Sequence, residues 1–467
     1  MKIIQWNPEL QRSIWENITP TKLIILPVIF GLLFMAVEST YKVVIMSLVL
    51  FYINTVMFGA YTAGEEIPNE VQDKTWDWQR MSAMTPLQMT IGKLFGSTIY
   101  QWYGGIITIL VFIFSALSYN FNFLTVLQLV LCMIFTATFF QTFAMLLGIS
   151  AREMPLRWRR LITIGILVSL AITLVSFFFF YLIIDFSKSI DKEFVSKNFH
   201  WFFISMPPLT HFLLLLIFMN IWSFIGLYRS FRTEMYYFNG PEFFMIFLIA
   251  VPIYFSGFLF NLSNHIIGFK FYFTVLFSTI AMLAYSSTFL TALIDKMEII
   301  TFRRLFFHLK LEDYKKVGYD IPLWAISFLT QIIFSLLALL LFTISMEEIG
   351  KIEENLPQKL LFFLITINLF CIRDLGIIMI NNFTQGKNAI GTTIGYFFIL
   401  YYLIPSLLAI SGNEHLLPSF YPIPFDKHFE FSIVNIVIPM FQALIVILVV
   451  RKIWVTKNIK VQESINR

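Results

Sequence analysis

The fold is decided by runs such as PLWAISFLTQIIFSLLALLLFTIS, residues 322–345, which contain no Asp, Glu, Lys or Arg. The hydrocarbon core of a bilayer is about 30 Å thick, and about 20 apolar residues cross it as one α-helix. This run is therefore long enough to span a membrane.

The rest of the chain has a similar composition. Of its 467 residues, 58% are hydrophobic, 18% are aromatic and only 13% are charged, whereas soluble domains carry about 25% charged residues. There are 55 Phe residues. A soluble globular fold is excluded, because it would expose apolar patches that aggregate. The composition predicts an all-α polytopic membrane protein.

Twelve apolar runs occur along the chain. The first six cover residues 23–37, 43–63, 98–118, 124–149, 161–184 and 210–228, and the second six cover 241–260, 268–294, 322–345, 360–381, 390–411 and 431–450. With the N-terminus inside, 24 of the 33 Lys and Arg residues lie on the inner side and 8 lie outside. Cytoplasmic loops carry such an excess, so both termini are predicted to be cytoplasmic.

The two sets of six runs are arranged alike. The midpoints of corresponding runs are separated by a nearly constant offset, between 220 and 234 residues. Because six is an even number, both halves have the same orientation, as in a parallel repeat. We therefore divide the chain into a leader (1–22), a first half (23–228) and a second half (229–467) that ends in a basic cytoplasmic tail. The two halves are predicted to be pseudo-symmetric.

The leader pattern predicts an amphipathic helix at the membrane interface. Asn7 is suited to cap its N-terminus, and Pro8 suits its first turn. Its apolar residues fall on one face: Leu10, Ile14, Trp15 and Ile18. Such a helix buries that face in the headgroup boundary. An ordinary amphipathic anchor would have the same pattern.

The stretch between the second and third runs is the most informative about function. Residues 65–96 are EEIPNEVQDKTWDWQRMSAMTPLQMTIGKLFG, which is too polar to span a membrane. Pro68 and Asn69 predict the start of a helix with an acidic first turn, and Thr85-Pro86 predicts its end. A cytoplasmic helix at about residues 65–90 would act as a lever between a soluble partner and the spans. A structural cytoplasmic loop is the alternative.

This stretch resembles the type-2 ABC export permease family. Members carry, after the second span, a Glu near the start of a cytoplasmic coupling helix, a Thr shortly after it, a Thr-Pro-Leu or Ser-Pro-Leu turn and a Gly-Lys-Leu. The chain has, in that order, Glu70, Thr75, Thr85-Pro86-Leu87 and Gly92-Lys93-Leu94. It departs from the family pattern where Lys74 replaces a Gly and Trp76-Asp77 stands in place of a Glu.

The resemblance implies the membrane subunit of an ABC exporter in a bacterial inner membrane, with one chain supplying both halves of the permease. Two separate cytoplasmic ATPase subunits would bind ATP and Mg and act on the coupling helix. The candidate coupling residues of the first half are Glu70, Thr75, Trp78, Arg80, Pro86 and Lys93. The chain lacks a P-loop, since the fragment Gly386-Lys387-Asn388 has neither the upstream Gly nor a Ser or Thr. We therefore expect no enzymatic activity and no cofactor in this chain.

The matching stretch of the second half, at about residues 296–320, is strongly basic and lacks both short motifs. Its apolar residues recur at helical spacing: Phe302, Leu305, Phe306 and Leu309. One interpretation is a diverged coupling segment in which Arg303 and Arg304 face an ATPase. The other is a basic amphipathic segment held on anionic headgroups.

Arg373 and Asp374 are the strong charges within the apolar runs. Charged residues in lipid are costly and indicate function by default. A substrate or gating role is one interpretation, and a structural ion pair or a snorkelling Arg373 is the other. Neighbours on a helix point about 100° apart, so the two need not pair with each other.

Other kinds of site lack support in the sequence. The two cysteines, Cys132 and Cys371, lie in apolar runs and predict no disulfide, and the six His residues have no ligand spacing. We expect no metal site, no catalytic residues and, at a net charge of +5, no nucleic-acid partner.

Two other functions remain open. A secondary, ion-coupled transporter needs membrane-embedded acids, and only Asp374 lies deep within a run. A polytopic membrane enzyme needs an acidic pair on a long outer loop, which is not evident. Phe-rich faces such as Phe177 to Phe180 suit a lipidic or amphiphilic cargo, but they would equally face lipid.

Overall fold

The computed structural model describes residues 7–151, 199–265, 269–294, 299–350, 356–385, 389–421 and 433–465. This part of the chain is helical except for turns and one short hairpin, formed by β1 (Phe199–Trp201) and β2 (Ile204–Met206). Nine of its helices are long and apolar enough to cross a membrane. The predicted all-α polytopic membrane protein is therefore confirmed.

The chain divides into two compact units, and the first comprises Met1–Phe199 and Ser205–Asn239. Its helices are α1 (Pro8–Asn17), α2 (Pro20–Met35), α3 (Thr40–Gln72), α4 (Trp76–Arg80), α5 (Pro86–Ser97), α6 (Ile99–Ser118), α7 (Phe123–Ala151) and α8 (Pro208–Glu234). Helix α3 contains a π-helical segment, Tyr52–Phe58.

Polar side chains join the long helices of the first unit. Gln141 on α7 donates to the Thr55 carbonyl in the π-helical segment at 2.8 Å, and it accepts from Trp102 Nε1 on α6 at 2.9 Å. Thr142 on α7 bonds to Ser223 on α8 at 2.9 Å. Such contacts stabilise helix pairs in lipid, where the hydrophobic effect contributes little between helices.

The second unit comprises His200–Ile204 and Gly240–Arg467. Its helices are α9 (Glu242–His265), α10 (Phe269–Ile294), α11 (Ile299–Lys310), α12 (Tyr314–Asp320), α13 (Leu323–Gly350), α14 (Leu356–Gln385), α15 (Ala389–Ile410) and α16 (Val434–Ile465). A π-helical segment, Ile399–Leu403, interrupts α15, and a 3-10 helix covers Glu414–Ser419.

Corresponding helices pack together within each unit. In the first unit α3 packs on α6 and α7, and α7 packs on α8. In the second unit α10 packs on α13 and α14, and α14 packs on α16. The π-helical segments do not correspond, because one lies in the second long helix of its unit and the other in the fifth. The predicted internal repeat remains a prediction, and the boundary placed at 228/229 lies inside α8.

The predicted spans agree with helices wherever the structure describes them. Eleven of the twelve apolar runs coincide with helices, and the fifth, 161–184, lies outside the described residues together with Phe177 to Phe180. Helix α2 has 16 residues and is bent by 67° from α1. The apolar part of α9 that can be assessed is also short, Glu242–Phe258. The count of twelve spans therefore remains a prediction.

The predicted limits of the coupling helix are wrong. Pro68 lies inside α3, which continues from the membrane to Gln72, so no helix begins there. Thr85-Pro86 begins α5 instead of ending a helix: the Thr85 side chain accepts from the Gln88 backbone N–H, and the Gln88 side chain accepts from Thr85 N–H. This capping box satisfies N–H groups that the first turn leaves unpaired. Its sequence pattern, Thr85-x-x-Gln88, was a usable signal.

Candidate functional site

The leader helix α1 begins as predicted, because the Asn7 side chain accepts from Leu10 N–H and Pro8 is its first residue. Its polar face packs inward, since Glu9 and Ser13 are buried, whereas Trp15 is 74% exposed. On the predicted apolar face Trp15 is exposed, and Leu10, Ile14 and Ile18 are half-buried. This arrangement suits a helix whose outer face contacts the headgroup region.

Two glycines on α5 make room for α1. A Cβ atom at Gly92 would lie 2.7 Å from Glu9 Cβ, and one at Gly96 would lie 2.5 Å from Ser13 Oγ. Real Cβ atoms do not approach other atoms so closely, so this contact requires glycine. The Gly-x-x-x-Gly spacing is typical of close helix packing.

Replacing Gly96 with Ala should lower stability by about 1–3 kcal/mol, because the new methyl group overpacks the α1–α5 contact. The thermal unfolding midpoint of the purified protein measures this change. The matched control is Gly31→Ala on α2, where no atom lies within 4 Å of the new Cβ. The double variant Ser13→Gly with Gly96→Ala should recover most of the stability that Gly96→Ala loses. If Gly96→Ala and Gly31→Ala lowered the unfolding midpoint equally, and the double variant recovered nothing, the contact would be contradicted.

Charged side chains from α1, α3 and α5 meet where these helices come together. We call them the buried charged cluster: Glu9, Arg12, Glu66, Glu70 and Lys93. Lys93 is fully buried, and its Nζ bonds to Glu70 and lies 2.6 Å from Glu9 Oε1 and 3.6 Å from Glu66 Oε1. Arg12 Nη2 lies 2.6 Å from Glu9 Oε1 and 2.8 Å from Glu70 Oε1. The cluster therefore ties the leader to two further helices.

The side chains of the buried charged cluster form a network of ion pairs. Glu9, Glu66 and Glu70 could each offer an oxygen within 4.8 Å of the others, a spacing that suits a metal ion. Lys93 and Arg12 already supply positive charge among these oxygens, which disfavours a further cation. Burial alone would raise the pKa of Glu9, but the Lys93 ammonium and Arg12 guanidinium lower it below its usual value. The Glu9 contribution to stability is therefore present at neutral pH and is lost as pH falls through that lowered pKa.

The turn between α3 and α4 contains one departure from the family pattern. Lys74 has φ 58°, a left-handed conformation in which glycine is favoured. Beyond it, Thr75 N–H and Oγ1 both donate to the Glu70 carbonyl, at 3.0 and 3.3 Å. The Gly of the family pattern would fit this turn with less strain than Lys74.

The candidate coupling residues of the first unit fall into a buried set and an exposed set. Glu70 and Lys93 belong to the buried charged cluster. Thr75 is exposed, Pro86 is half-buried at the start of α5, and Trp78 is 77% exposed on α4. Arg80 pairs with Asp77 at 2.6 Å. An exposed contact for a soluble partner is therefore available at Trp78 but not at Glu70.

Helix α4 connects the exposed set with the buried charged cluster. Trp76 is buried against Phe231 of α8, and its Nε1 donates to Glu234 at 3.4 Å. Gln79 Nε2 donates to Glu70 Oε1 at 2.7 Å. Glu70 Oε2 is buried and has no hydrogen-bond partner among the residues that the structure describes.

In the second unit, Arg303 and Arg304 lie on α11, as predicted from its helical spacing. Arg304 is exposed and pairs with Asp320 of α12 at 2.6 Å. Lys296, at the start of the predicted segment, lies outside the described residues, as do residues 386–388.

Arg373 and Asp374 form an intramembrane cluster with Tyr285, Tyr401 and Gln442. Arg373 is 1% exposed, its Nε donates to Asp374 Oδ1 at 2.9 Å and its Nη1 donates to Gln442 at 2.9 Å. The hydroxyls of Tyr285 and Tyr401 donate to Asp374 Oδ2 at 2.8 and 2.5 Å. The snorkelling interpretation is therefore wrong, and the two neighbours do pair. Helices α10, α14, α15 and α16 meet at this cluster.

Several residues of the buried charged cluster were not predicted as site residues. Glu9, Arg12 and Glu66, together with their neighbour Gln79, carried no individual signal in the sequence. The Gly92-x-x-x-Gly96 spacing within the quoted stretch could have indicated a helix packed on α5.

No family model, no curated protein and no solved structure matches this chain.

Proposed function

We propose that this chain is the transmembrane permease subunit of an ABC-type exporter in a bacterial inner membrane. It would cross the membrane twelve times as two pseudo-symmetric six-helix halves, with both termini cytoplasmic. Separate ATPase subunits, two per permease, would hydrolyse ATP with Mg and drive a lipidic or amphiphilic cargo across the membrane.

The proposal depends on the path from Trp78 to the buried charged cluster. Trp78 presents a large apolar surface to solvent, and the next residue, Gln79, bonds to Glu70. Glu70 is joined to Arg12 and Lys93, so a displacement of α4 acts on α1, α3 and α5 together. Helix α3 continues into the apolar region, and α5 is followed directly by α6. Force applied by a soluble partner would therefore reach two spans.

Such a path suits an exporter that alternates between two states. A partner shifts a conformational equilibrium only by binding the two states with different affinity. ATP binding and hydrolysis in the ATPase subunits would change the position of α4, and the charged cluster would keep the leader and the two spans moving with it. The family motifs Glu70, Thr75, Pro86 and Lys93 all lie on this path or beside it.

An ion-coupled transporter has less support. A coupling carboxylate must be able to release and rebind its ion, but both oxygens of Asp374 accept hydrogen bonds from Arg373, Tyr285 and Tyr401. A membrane enzyme would need an acidic pair on a long outer loop, and such a pair is not evident in the sequence.

Trp78→Ala should weaken binding of a candidate ATPase subunit by about tenfold or more, because truncating an interface Trp costs about 1–2 kcal/mol or more. Co-purification and permease-stimulated ATP hydrolysis in lipid would measure the loss. The matched control is Trp15→Ala, since Trp15 is equally exposed but lies on the outward face of the leader.

Two results would contradict the proposal. One is that Trp78→Ala binds the ATPase as well as the wild type does. The other is that no ATPase binds the wild-type chain while its transport collapses with the proton gradient, which would favour the ion-coupled alternative.

A further inference from the structure

Helix α11 is attached to the second unit by one apolar face. The ring of Phe302 packs against Trp324, Phe383 and Trp454, with centroid separations of 6.0, 6.2 and 5.9 Å. Leu305, one turn further along, is buried as well.

The residues that hold Phe302 lie at the ends of membrane helices. Trp324 is the second residue of α13, Phe383 lies in the last turn of α14, and Trp454 lies in the last turn of the candidate span Val434–Lys457. Trp is enriched at this level, where hydrocarbon gives way to headgroups. The contact therefore places α11 at the depth of the bilayer surface.

A second apolar stripe faces away from the unit. It consists of Ile300, Phe307 and Leu311, whose exposed fractions are 74%, 59% and 59%. The Leu311 N–H donates to the Phe307 carbonyl at 3.1 Å, so the helical register continues to this residue. At about 100° per residue the three positions lie within about 40° of one another. We call this set the outer stripe.

The outer stripe has basic residues on both edges. At helical spacing Arg303 and Lys310 lie along one edge, and Arg304, which pairs with Asp320 of α12 at 2.6 Å, lies along the other. An exposed apolar stripe between basic edges is the pattern of helices that bind anionic membrane surfaces. Helix α4 of the first unit lacks this pattern, because its five residues include a single basic side chain, Arg80.

We propose that α11 is a binding surface for anionic phospholipid headgroups, with the outer stripe inserted at the headgroup boundary and the basic edge of Arg303 and Lys310 contacting lipid phosphates. The loop of the second unit would then be fixed to the membrane, whereas α4 of the first unit remains available to a soluble partner. This inference does not depend on the proposed function.

The test uses the full-length Leu311→Cys variant reconstituted in phosphatidylcholine vesicles with or without phosphatidylglycerol. The rate of labelling by a water-soluble maleimide is measured, and the parent chain, whose Cys132 and Cys371 are buried, gives the background. Each basic side chain near an anionic surface strengthens binding roughly fivefold. We therefore expect phosphatidylglycerol to slow labelling by about tenfold or more, and high salt to reverse the effect.

Matched variants separate lipid binding from other causes. Arg303→Gln with Lys310→Gln should abolish the effect of phosphatidylglycerol, whereas Lys316→Gln, which removes a charge paired with Asp313 on α12, should retain it. Met81→Cys beside α4, 67% exposed, should be labelled equally in both vesicles. Thermal unfolding in detergent verifies that each variant is folded.

Equal labelling of Leu311→Cys with and without phosphatidylglycerol would overturn the proposal. So would protection that appears in neutral vesicles only when ATPase subunits are added, because that result would make α11 a protein-docking surface. Since the lipid experiment contains no ATPase, failure of the lipid proposal and failure of the exporter proposal give different results.

Discussion

Replacing Lys93 with Met should destabilise the protein by about 3–5 kcal/mol, the usual cost of removing one partner from a buried ion pair. The fully buried ammonium lies between Glu9 and Glu70, and its loss leaves Arg12 as the one cation of the cluster against the three carboxylates of Glu9, Glu66 and Glu70. We expect the leader to detach from α5. Thermal unfolding and limited proteolysis near the N-terminus would measure both effects.

Two further variants identify the cause. Lys93→Met combined with Glu9→Gln and Glu70→Gln should recover part of the stability, because two of the three carboxylates that share Arg12 are then neutral. Lys42→Met, which removes an exposed lysine, should change the unfolding midpoint little. If Lys93→Met and Lys42→Met were equally stable, the buried charged cluster would not hold the leader.

Asp374→Asn should also destabilise the protein by about 3–5 kcal/mol, because Arg373 would remain buried without its counter-charge. The substitution keeps the size of the side chain and removes only the charge, so packing changes little. Thermal unfolding of the purified chain is the measurement. Ser286→Ala is the control: Ser286 is exposed beside Tyr285 on the same helix, α10, and should be nearly neutral.

A double-mutant cycle distinguishes a structural role from a transport role at this pair. Arg373→Met together with Asp374→Asn should be more stable than Asp374→Asn alone, because no unpaired charge is left. Wild-type stability of Asp374→Asn with loss of transport would instead indicate a substrate or gating role.

A candidate coupling residue is best tested where its substitution leaves the fold intact. Glu70 carries the family resemblance, but its substitution would disturb Arg12 and Lys93 and so confuse loss of folding with loss of coupling. Trp78 gives a cleaner test, because its side chain is exposed and its removal leaves the charged cluster in place.

Part of the site was predictable because its signals are local. Asn7 and Pro8 begin α1 as expected, since a cap depends only on residues one turn away. Helix α5 also begins at a local signal, the capping box of Thr85 and Gln88. Thr85-Pro86 therefore marks a first turn and not a helix end. The error at Pro68 has another origin, because packing can keep a helix intact through a residue that lowers helix propensity.

The pairing of charges was not predictable in this way. Arg12 and Glu70 are 58 residues apart, and Glu70 and Lys93 are 23 apart, so nothing in their neighbouring residues indicates a contact. On an isolated helix the Glu9 face belongs in water. In the folded chain that face is buried instead, because Gly92 and Gly96 have no side chains and let α1 approach α5 closely. The charged groups on α3 and α5 then supply ion-pair partners for α1.

The sequence by itself determined that the chain lies in lipid and is built from long helices, because apolar length and capping are properties of short segments. Only the tertiary structure decided that the polar face of the leader is buried, that Arg373 pairs with its neighbour, and that an exposed Trp78 adjoins a buried charged cluster. The physical reason is that a buried charge is tolerated only where several helices together supply its partners, and the distances between helices are set by packing along the whole chain.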